Sequence, residues 1–127
     1  MQKLIDGLKE ELLIYDKILE LTVAEKEAFS KSESERFMAI LTERLDLMNK
    51  ISECENKLKP LREEWMAGRE NLPDEHNKTV VDLVTKIKEK MDKILEIENY
   101  VMQEKAKQDK GVTGVPKSKA INSYKNM

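Results

Sequence analysis

A long stretch without helix breakers is the feature that most constrains this fold. From Leu8 to Lys59 the sequence contains neither glycine nor proline. Apolar residues recur there at alternating spacings of three and four, which places them on one face of an α-helix. The whole chain of 127 residues holds only 4 Gly and 3 Pro, too few turn residues for an all-β sandwich. The sequence therefore predicts long amphipathic helices.

A cluster of serines divides this stretch into two helices. Ser32 followed by Glu35 has the spacing of a capping box, so we expect a new helix to open there. So short a connection makes the two helices antiparallel neighbours. The first helix carries its apolar stripe on Ile5, Leu8, Leu12, Tyr15, Leu19, Thr22, Lys26 and Phe29.

The second helix carries two stripes in its first half. The main stripe is Phe37, Ile40, Arg44, Leu47, Ile51, Cys54, Leu58, Leu61 and Trp65, and the second is Met38, Leu41, Leu45 and Met48. Two stripes predict two neighbours for that half. Pro60 removes one backbone hydrogen bond from the helix, which predicts a kink or a restart at residues 56–59.

A third helix follows a segment that has no periodicity. Residues 67–77 contain Gly, Pro and Asn, which predicts a surface connection of about ten residues. The third stripe is Val80, Val84, Ile87, Met91, Ile94, Glu98, Val101 and Lys105. We therefore expect an all-α fold: an elongated antiparallel three-helix bundle or coiled coil over residues 1–109, with helices at about 2–29, 33–67 and 78–107.

The charges are balanced overall but divided along the chain. Residues 1–102 carry 17 basic and 23 acidic side chains, whereas residues 103–127 carry 6 basic and 2 acidic ones. The breakers between Gly111 and Pro116 cannot continue a helix, so residues 110–127 are predicted to be a mobile basic tail. The opposite charges of the tail and of residues 1–102 favour packing of the tail against the helices, and salt would weaken this attraction.

Few residues could support catalysis or metal binding. Cys54 lies on an apolar stripe and His76 in the predicted connection, so a catalytic pair and a metal cluster are both disfavoured. The four glycines are too scattered to cradle a phosphate. The tail lysines could touch nucleic acid, but the acidic body opposes this. We predict a protein that is not an enzyme, has no cofactor or metal and does not bind nucleic acid.

The sequence also lacks export and membrane signals. Charges occur every two to four residues in the first seventeen, so no apolar run reaches the length of a signal-peptide core or of a membrane span. With a single cysteine there can be no intrachain disulfide. We expect a cytoplasmic protein that does not insert into membranes.

Two kinds of residue on the stripes have more than one interpretation. Arg44 and Glu98 occupy apolar positions; either their charged ends reach the rim while their stems pack, or they mark a face that is open to a partner. Four methionines also lie on the apolar stripes or beside them. They either fill the core or line an adaptable groove that accepts helices. These are Met38, Met48, Met91 and Met102.

Four segments resemble one known family. They are Ile14–Leu21, Ser34–Met48, Ile94–Val101 and Lys119–Tyr124, and they are similar to FlgN-type flagellar export chaperones and to the related FliT-type chaperones. The resemblance implies a cytoplasmic, non-catalytic helical chaperone. Such a protein binds the C-terminal helical region of hook–filament junction proteins, prevents premature assembly and delivers them to the flagellar export gate.

The resemblance also suggests where the partners bind. We expect the third helix to form the substrate groove through Val84, Ile87, Met91, Ile94, Ile97, Val101 and Met102. Family members use a tyrosine near the C-terminus to dock at the export gate; Tyr124 matches best by position, and Tyr100 is the alternative. The tail could cover the groove when it is empty. The competing interpretation is a structural coiled coil that forms a homodimer or acts as an adaptor.

Overall fold

Three long α-helices make up the described part of the chain. The computed structural model describes residues 2–109, with side chains up to Lys107. The helices are α1 (Gln2–Ser30), α2 (Ser34–Gly68) and α3 (Asp74–Asp109), and the short 3₁₀ turn Arg69–Asn71 follows α2. At a rise of 1.5 Å per residue each helix is about 45–55 Å long. The prediction of an elongated, all-α three-helix bundle is confirmed.

The turn between α1 and α2 differs from the predicted capping box. Ser32 adopts a left-handed conformation with φ of 56°. The amide of Ser32 donates to the carbonyl of Phe29 at 3.1 Å, and that of Glu33 donates to the carbonyl of Ala28 at 2.9 Å. These two bonds form a Schellman motif, which satisfies carbonyls at the end of α1. The capping box was wrong, because α2 begins at Ser34 without a side-chain cap.

The connection before α3 is much shorter than predicted. Helix α3 begins at Asp74, four residues before the expected start, and its first turn contains the acidic side chains of Asp74 and Glu75. Pro73 accepts hydrogen bonds from the amides of His76 and Asn77. A proline with fixed φ and two carboxylates near the positive end of the dipole both favour a helix start. The prediction of a loop here rested on the absence of an apolar stripe from these residues.

Helix α2 continues without interruption past Pro60. Of the two predicted outcomes at residues 56–59, the restart was wrong, and the kink stays a prediction. Hydrogen bonds join the C-terminal end of α2 to the start of α3. Trp65 Nε1 donates to Asn77 Oδ1 at 2.9 Å, and Asn77 Nδ2 donates to the carbonyl of Arg69 at 2.7 Å. The Arg69 guanidinium also lies 4.6 Å from the centre of the Trp65 ring.

Helix α1 is the central element of the bundle. It packs closely along both α2 and α3, whereas α2 and α3 make no comparably close packing with each other within residues 2–109. Phe29 lies against Phe37 with ring centres 6.0 Å apart, and Gly7 lies against Leu58, so α1 and α2 are antiparallel. Asp16 pairs with Lys90 at 3.0 Å, and Lys26 lies against Tyr100, so α3 is parallel to α1.

The core lies along the faces of α2 and α3 that meet α1. Its buried apolar residues are Leu4, Ile5, Leu8, Tyr15, Ile18, Ala28, Ile40, Ile51, Cys54, Leu58, Trp65, Val80, Leu83, Ile87, Ile94 and Val101. Gly7 lets Leu58 of α2 pack directly on the backbone of α1, because a β-carbon there would overlap a methyl group of Leu58. Among residues 2–109, no helix contains a stretch long and apolar enough to cross a lipid bilayer.

Candidate functional site

The open side of the bundle lies between α2 and α3. Two contacts fix how these helices face each other: Arg44 of α2 contacts Glu98 of α3, and Lys105 Nζ lies 5.6 Å from the centre of the Phe37 ring. The helices therefore run antiparallel on either side of one seam. Residues three, four or seven positions away from Arg44 and Glu98 lie on the same side of each helix, so those among them that are not buried in the core border this seam.

Apolar side chains border the seam from both helices. Of the apolar residues near Arg44 and Glu98 on these helices, Ile40, Ile51, Ile94 and Val101 are buried in the core, whereas those on the side away from α1 are half-buried or exposed, and Leu45 continues the row on α2. We call this set the α2–α3 seam: Leu41, Leu45, Met48, Met91, Leu95 and Met102. The exposed fractions are 64% for Leu45, 44% for Met48, 39% for Met91 and 52% for Leu95. An apolar surface of this kind, spread over two helices, commonly marks a protein-binding site.

This arrangement corrects two sequence interpretations. The second stripe of α2 was expected to meet a second helix, but Met38, Leu45 and Met48 are exposed and no described helix covers them. The same exposure, together with that of Met91, argues against methionine as core filler at these positions. The second apolar row was visible in the sequence, but only the packing of the helices shows that it is exposed.

The structure separates the predicted groove residues into two groups. Ile87, Ile94 and Val101 are core residues, with exposed fractions of 6%, 7% and 3%. A partner could reach these three only if α3 moved away from α1, so in this conformation they do not line a groove.

The remaining predicted residues are more accessible. Met91 and Met102 belong to the α2–α3 seam, and Val84 and Ile97 are half-buried. The binding role of all seven residues stays a prediction. Tyr124 and the rest of the predicted tail, residues 110–127, lie outside the described residues. Tyr100, the alternative docking tyrosine, is 44% exposed, and Lys26 Nζ lies 4.4 Å from the centre of its ring.

A buried ionic cluster lies beneath the seam. Arg44 Nη1 donates to Glu25 Oε2 at 2.7 Å, and Arg44 Nη2 contacts the Glu98 carboxylate. All three side chains are more than nine-tenths buried. The first interpretation of Arg44 and Glu98 was wrong, because their charged ends are buried against each other and do not reach the rim. The second, that they mark a face open to a partner, stays a prediction. Burial raises the pKa of Glu25, and Arg44 opposes this shift.

A second polar cluster lies between α1 and α2. Glu11 is 2% exposed, and its Oε2 receives no hydrogen bond from any residue that the structure describes. Burial first, and then the neighbouring Glu55 carboxylate, raise the pKa of Glu11 to about 8. A neutral Glu11 donates a hydrogen bond to the Glu55 carboxylate, which Arg62 also binds. Burial alone would raise the pKa of Glu55, but the hydrogen bonds from Glu11 and Arg62 outweigh burial and lower this pKa.

The same cluster contains the single thiol of the chain. Cys54 is buried, and its Sγ lies 3.8 Å from the carbonyl oxygen of Gly7. Burial and the nearby carboxylates raise the pKa of Cys54 to about 11, and burial with Glu11 raises that of Tyr15 to about 12. Both groups are therefore neutral near pH 7. Such a thiol is a packing residue, because nucleophilic cysteines need a lowered pKa.

The part of the chain that the structure describes contains no cluster of three His, Cys, Asp or Glu side chains suited to a metal ion. In comparisons with protein-family models, with curated proteins and with solved structures, nothing matches this chain. The resemblance to FlgN-type chaperones therefore rests on the sequence segments alone.

Proposed function

We propose that this chain is a non-catalytic, cytoplasmic helix-binding chaperone whose α2–α3 seam receives an amphipathic helix of a client protein. One observation carries the proposal: α2 and α3 both pack on α1, yet they present exposed apolar rows to each other across an open seam. A partner helix laid along the seam would bury both rows. This is the helix-in-groove mode of recognition, in which apolar anchors recur at helical spacing.

The composition of the seam supports transient binding of client helices rather than permanent binding of one partner. Three of its six residues are methionines, whose flexible side chains adapt to different helices. The ionic cluster of Arg44, Glu25 and Glu98 links all three helices directly below. An ionic cluster that holds the three helices together, with flexible methionine side chains above it, suits transient binding of more than one helix.

The resemblance to FlgN-type chaperones adds the identity of the client to this proposal. On that basis the clients are the C-terminal helices of hook–filament junction proteins, which the chaperone would hold until delivery to the flagellar export gate. Docking at the gate would use Tyr124, with Tyr100 as the alternative. Replacement of each tyrosine by Ala, followed by an export assay, tests this part of the proposal separately from client binding.

The seam is tested by paired substitutions. Met48→Asp and Leu95→Asp place charge on its two walls, and both side chains are exposed, so the fold should survive. Leu13→Asp is the matched control, because Leu13 is 69% exposed on α1, the helix that contributes no residue to the seam. Co-purification with junction-protein C-terminal helices should be lost for the first two variants and retained for the control. Retained binding in all three would contradict the proposal.

The alternative is a structural coiled coil that self-associates through the same exposed rows. Sedimentation equilibrium distinguishes the two functions. A stable homodimer that dissociates when Met48→Asp is introduced, and that gains no stability from junction-protein helices, would favour the scaffold. A monomer that is stabilised by such helices would favour the chaperone.

A further inference from the structure

Three side-chain contacts join α2 to α3, and they share one register. The first two are seven residues apart on both helices, and the second and third are twenty-one residues apart on both. Contacts in a single antiparallel register therefore recur at whole heptads along the two helices. The pairs are Phe37 with Lys105, Arg44 with Glu98, and Trp65 with Asn77.

The same register identifies the facing positions between the second and the third contact. Continuing it from Arg44 in steps of seven places Ile51 opposite Met91 and Leu58 opposite Val84. All four of these side chains are apolar. Apolar pairs depend little on exact alignment, whereas a hydrogen bond or an ion pair forms only when its two partners lie at matching positions. The polar contacts are thus the ones that can specify the register.

Packing on α1 does not by itself fix how α2 and α3 face each other. It sets how far each of the two helices lies from α1. The angle between α2 and α3 around α1, and their alignment along it, depend on the contacts that join them. Within residues 2–109, α2 and α3 pack much less closely on each other than on α1. Each joining contact therefore has a large share in setting the separation between the walls of the seam.

The side-chain amide of Asn77 is bonded at both of its polar atoms. Its Oδ1 accepts a hydrogen bond from Trp65 Nε1 at 2.9 Å, and its Nδ2 donates to the carbonyl of Arg69 at 2.7 Å. Trp65 is only 7% exposed, so its indole N–H needs a partner within the protein. Asn77 lies in the first turn of α3, and the two bonds therefore fix the direction in which α3 leaves the end of α2.

We propose that Asn77 and Trp65 are positioning residues for the α2–α3 seam. Their hydrogen bond lies three heptads from the ion pair of the buried ionic cluster, and together the two contacts hold α2 and α3 in one register. That register brings Met48 and Leu95 nearly opposite each other on the two walls. The importance of this position for binding rests on the proposed function, but the position itself can be measured without a client.

Distances between spin labels measure the separation of the walls directly. Met48→Cys and Leu95→Cys carry the labels, because both side chains are exposed. The chain also carries Cys54→Ala, which removes its single native thiol. Double electron–electron resonance on this labelled chain should give one narrow distribution of distances.

Two substitutions break the proposed contact from either side. Trp65→Phe keeps an aromatic ring but removes the N–H donor, and Asn77→Leu removes the acceptor. Each should broaden the distribution and shift it to longer distances, and combining them should add nothing further. Thr79→Ala is the matched control and should leave the distribution unchanged, because the hydrogen bond that it removes, to the carbonyl of Glu75, lies within α3.

The outcomes separate the inference from the proposed function. Circular dichroism selects chains that are fully helical, so that a changed distance reports position and not unfolding; Trp65→Phe is the milder change and decides alone if Asn77→Leu does not fold. An unchanged distribution in these variants would contradict the inference, as would an equal change in Thr79→Ala. Client binding to Met48→Asp tests the function without reference to these distances, so either can fail while the other stands.

Discussion

Arg44 Nη1 donates a 2.7 Å hydrogen bond to Glu25 Oε2, and the two side chains are only 8% and 6% exposed. The second amino group of Arg44 contacts Glu98, so one guanidinium joins the three helices. The positive charge of Lys105 also acts on Glu25, but Arg44 is the group that contacts both buried carboxylates. The stability of the cluster therefore depends on the presence of Arg44.

Replacement of Arg44 by Leu should destabilise the fold by about 3–5 kcal/mol, because it leaves two buried carboxylates without a partner. Urea unfolding at pH 7, followed by circular dichroism, measures the loss. The control replaces Glu25, Arg44 and Glu98 by Leu together, and it should be as stable as the original chain or more so. A single variant that unfolds at the original urea concentration would show that the ionic cluster contributes little.

Helix existence and the positions of the first two helices could be predicted, because both follow from apolar periodicity over many turns. The buried face of α1 could be predicted only in part: Ile5, Leu8, Tyr15 and Thr22 of its apolar stripe are buried, whereas Lys26 is exposed. Its core side includes Glu11 and Glu25, and hydropathy places any single Glu at the surface. These residues are buried because partners on α2 compensate them, and no pattern within α1 contains that information.

The candidate site was predicted in part. Met91 and Met102 could be chosen because they lie on the stripe or at its edge, but Ile87 and Ile94 follow the same period and are core residues. Which apolar residues stay exposed depends on how far apart α2 and α3 lie, and the sequence of either helix alone does not determine this. The seam became visible only when both helices were placed on α1.

Replacement of Glu11 by Gln should remove a pH dependence of stability. The folded-state pKa of Glu11 is about 8, above the ordinary value of a carboxyl group, so the folded state binds the proton more tightly. Stability from this group is fully present below the unfolded-state pKa, near 4.5, and is lost as the pH rises through about 8. Gln keeps the shape of the neutral acid and still donates to Glu55.

The measurement is urea unfolding of both proteins between pH 5 and pH 9. The original chain should lose stability over this range, whereas Glu11→Gln should lose less and should be the more stable protein at pH 9. Glu10→Gln is a suitable control, since Glu10 is an exposed neighbour. Parallel curves for the original chain and Glu11→Gln would contradict the prediction.

Replacement of Gly7 by Ala should destabilise the bundle by about 1–2 kcal/mol. Alanine favours a helix by up to about 1 kcal/mol over glycine, but its β-carbon would overlap the buried Leu58 side chain, and overpacking of a core costs about 1–3 kcal/mol. A double-mutant cycle with Leu58→Val isolates the contact. The Ala substitution should cost less in the Leu58→Val background; equal costs in both backgrounds would show that the two residues do not interact.

Cys54 should react with thiol reagents only when α1 and α2 separate. Burial raises the pKa of its thiol to about 11, so the reactive thiolate is scarce at pH 7.5, and the contact with Gly7 shields the sulfur. Labelling by a disulfide reagent should be slow in the native chain and complete in urea. Because Cys54 is the single cysteine, the signal has no other source, and Cys54→Ala gives the background.

Gly7→Ala should accelerate labelling by loosening the contact between Gly7 and Cys54, whereas Leu95→Asp should not, because Leu95 lies on α3. Rapid native labelling would contradict the packing of α1 against α2 at this position.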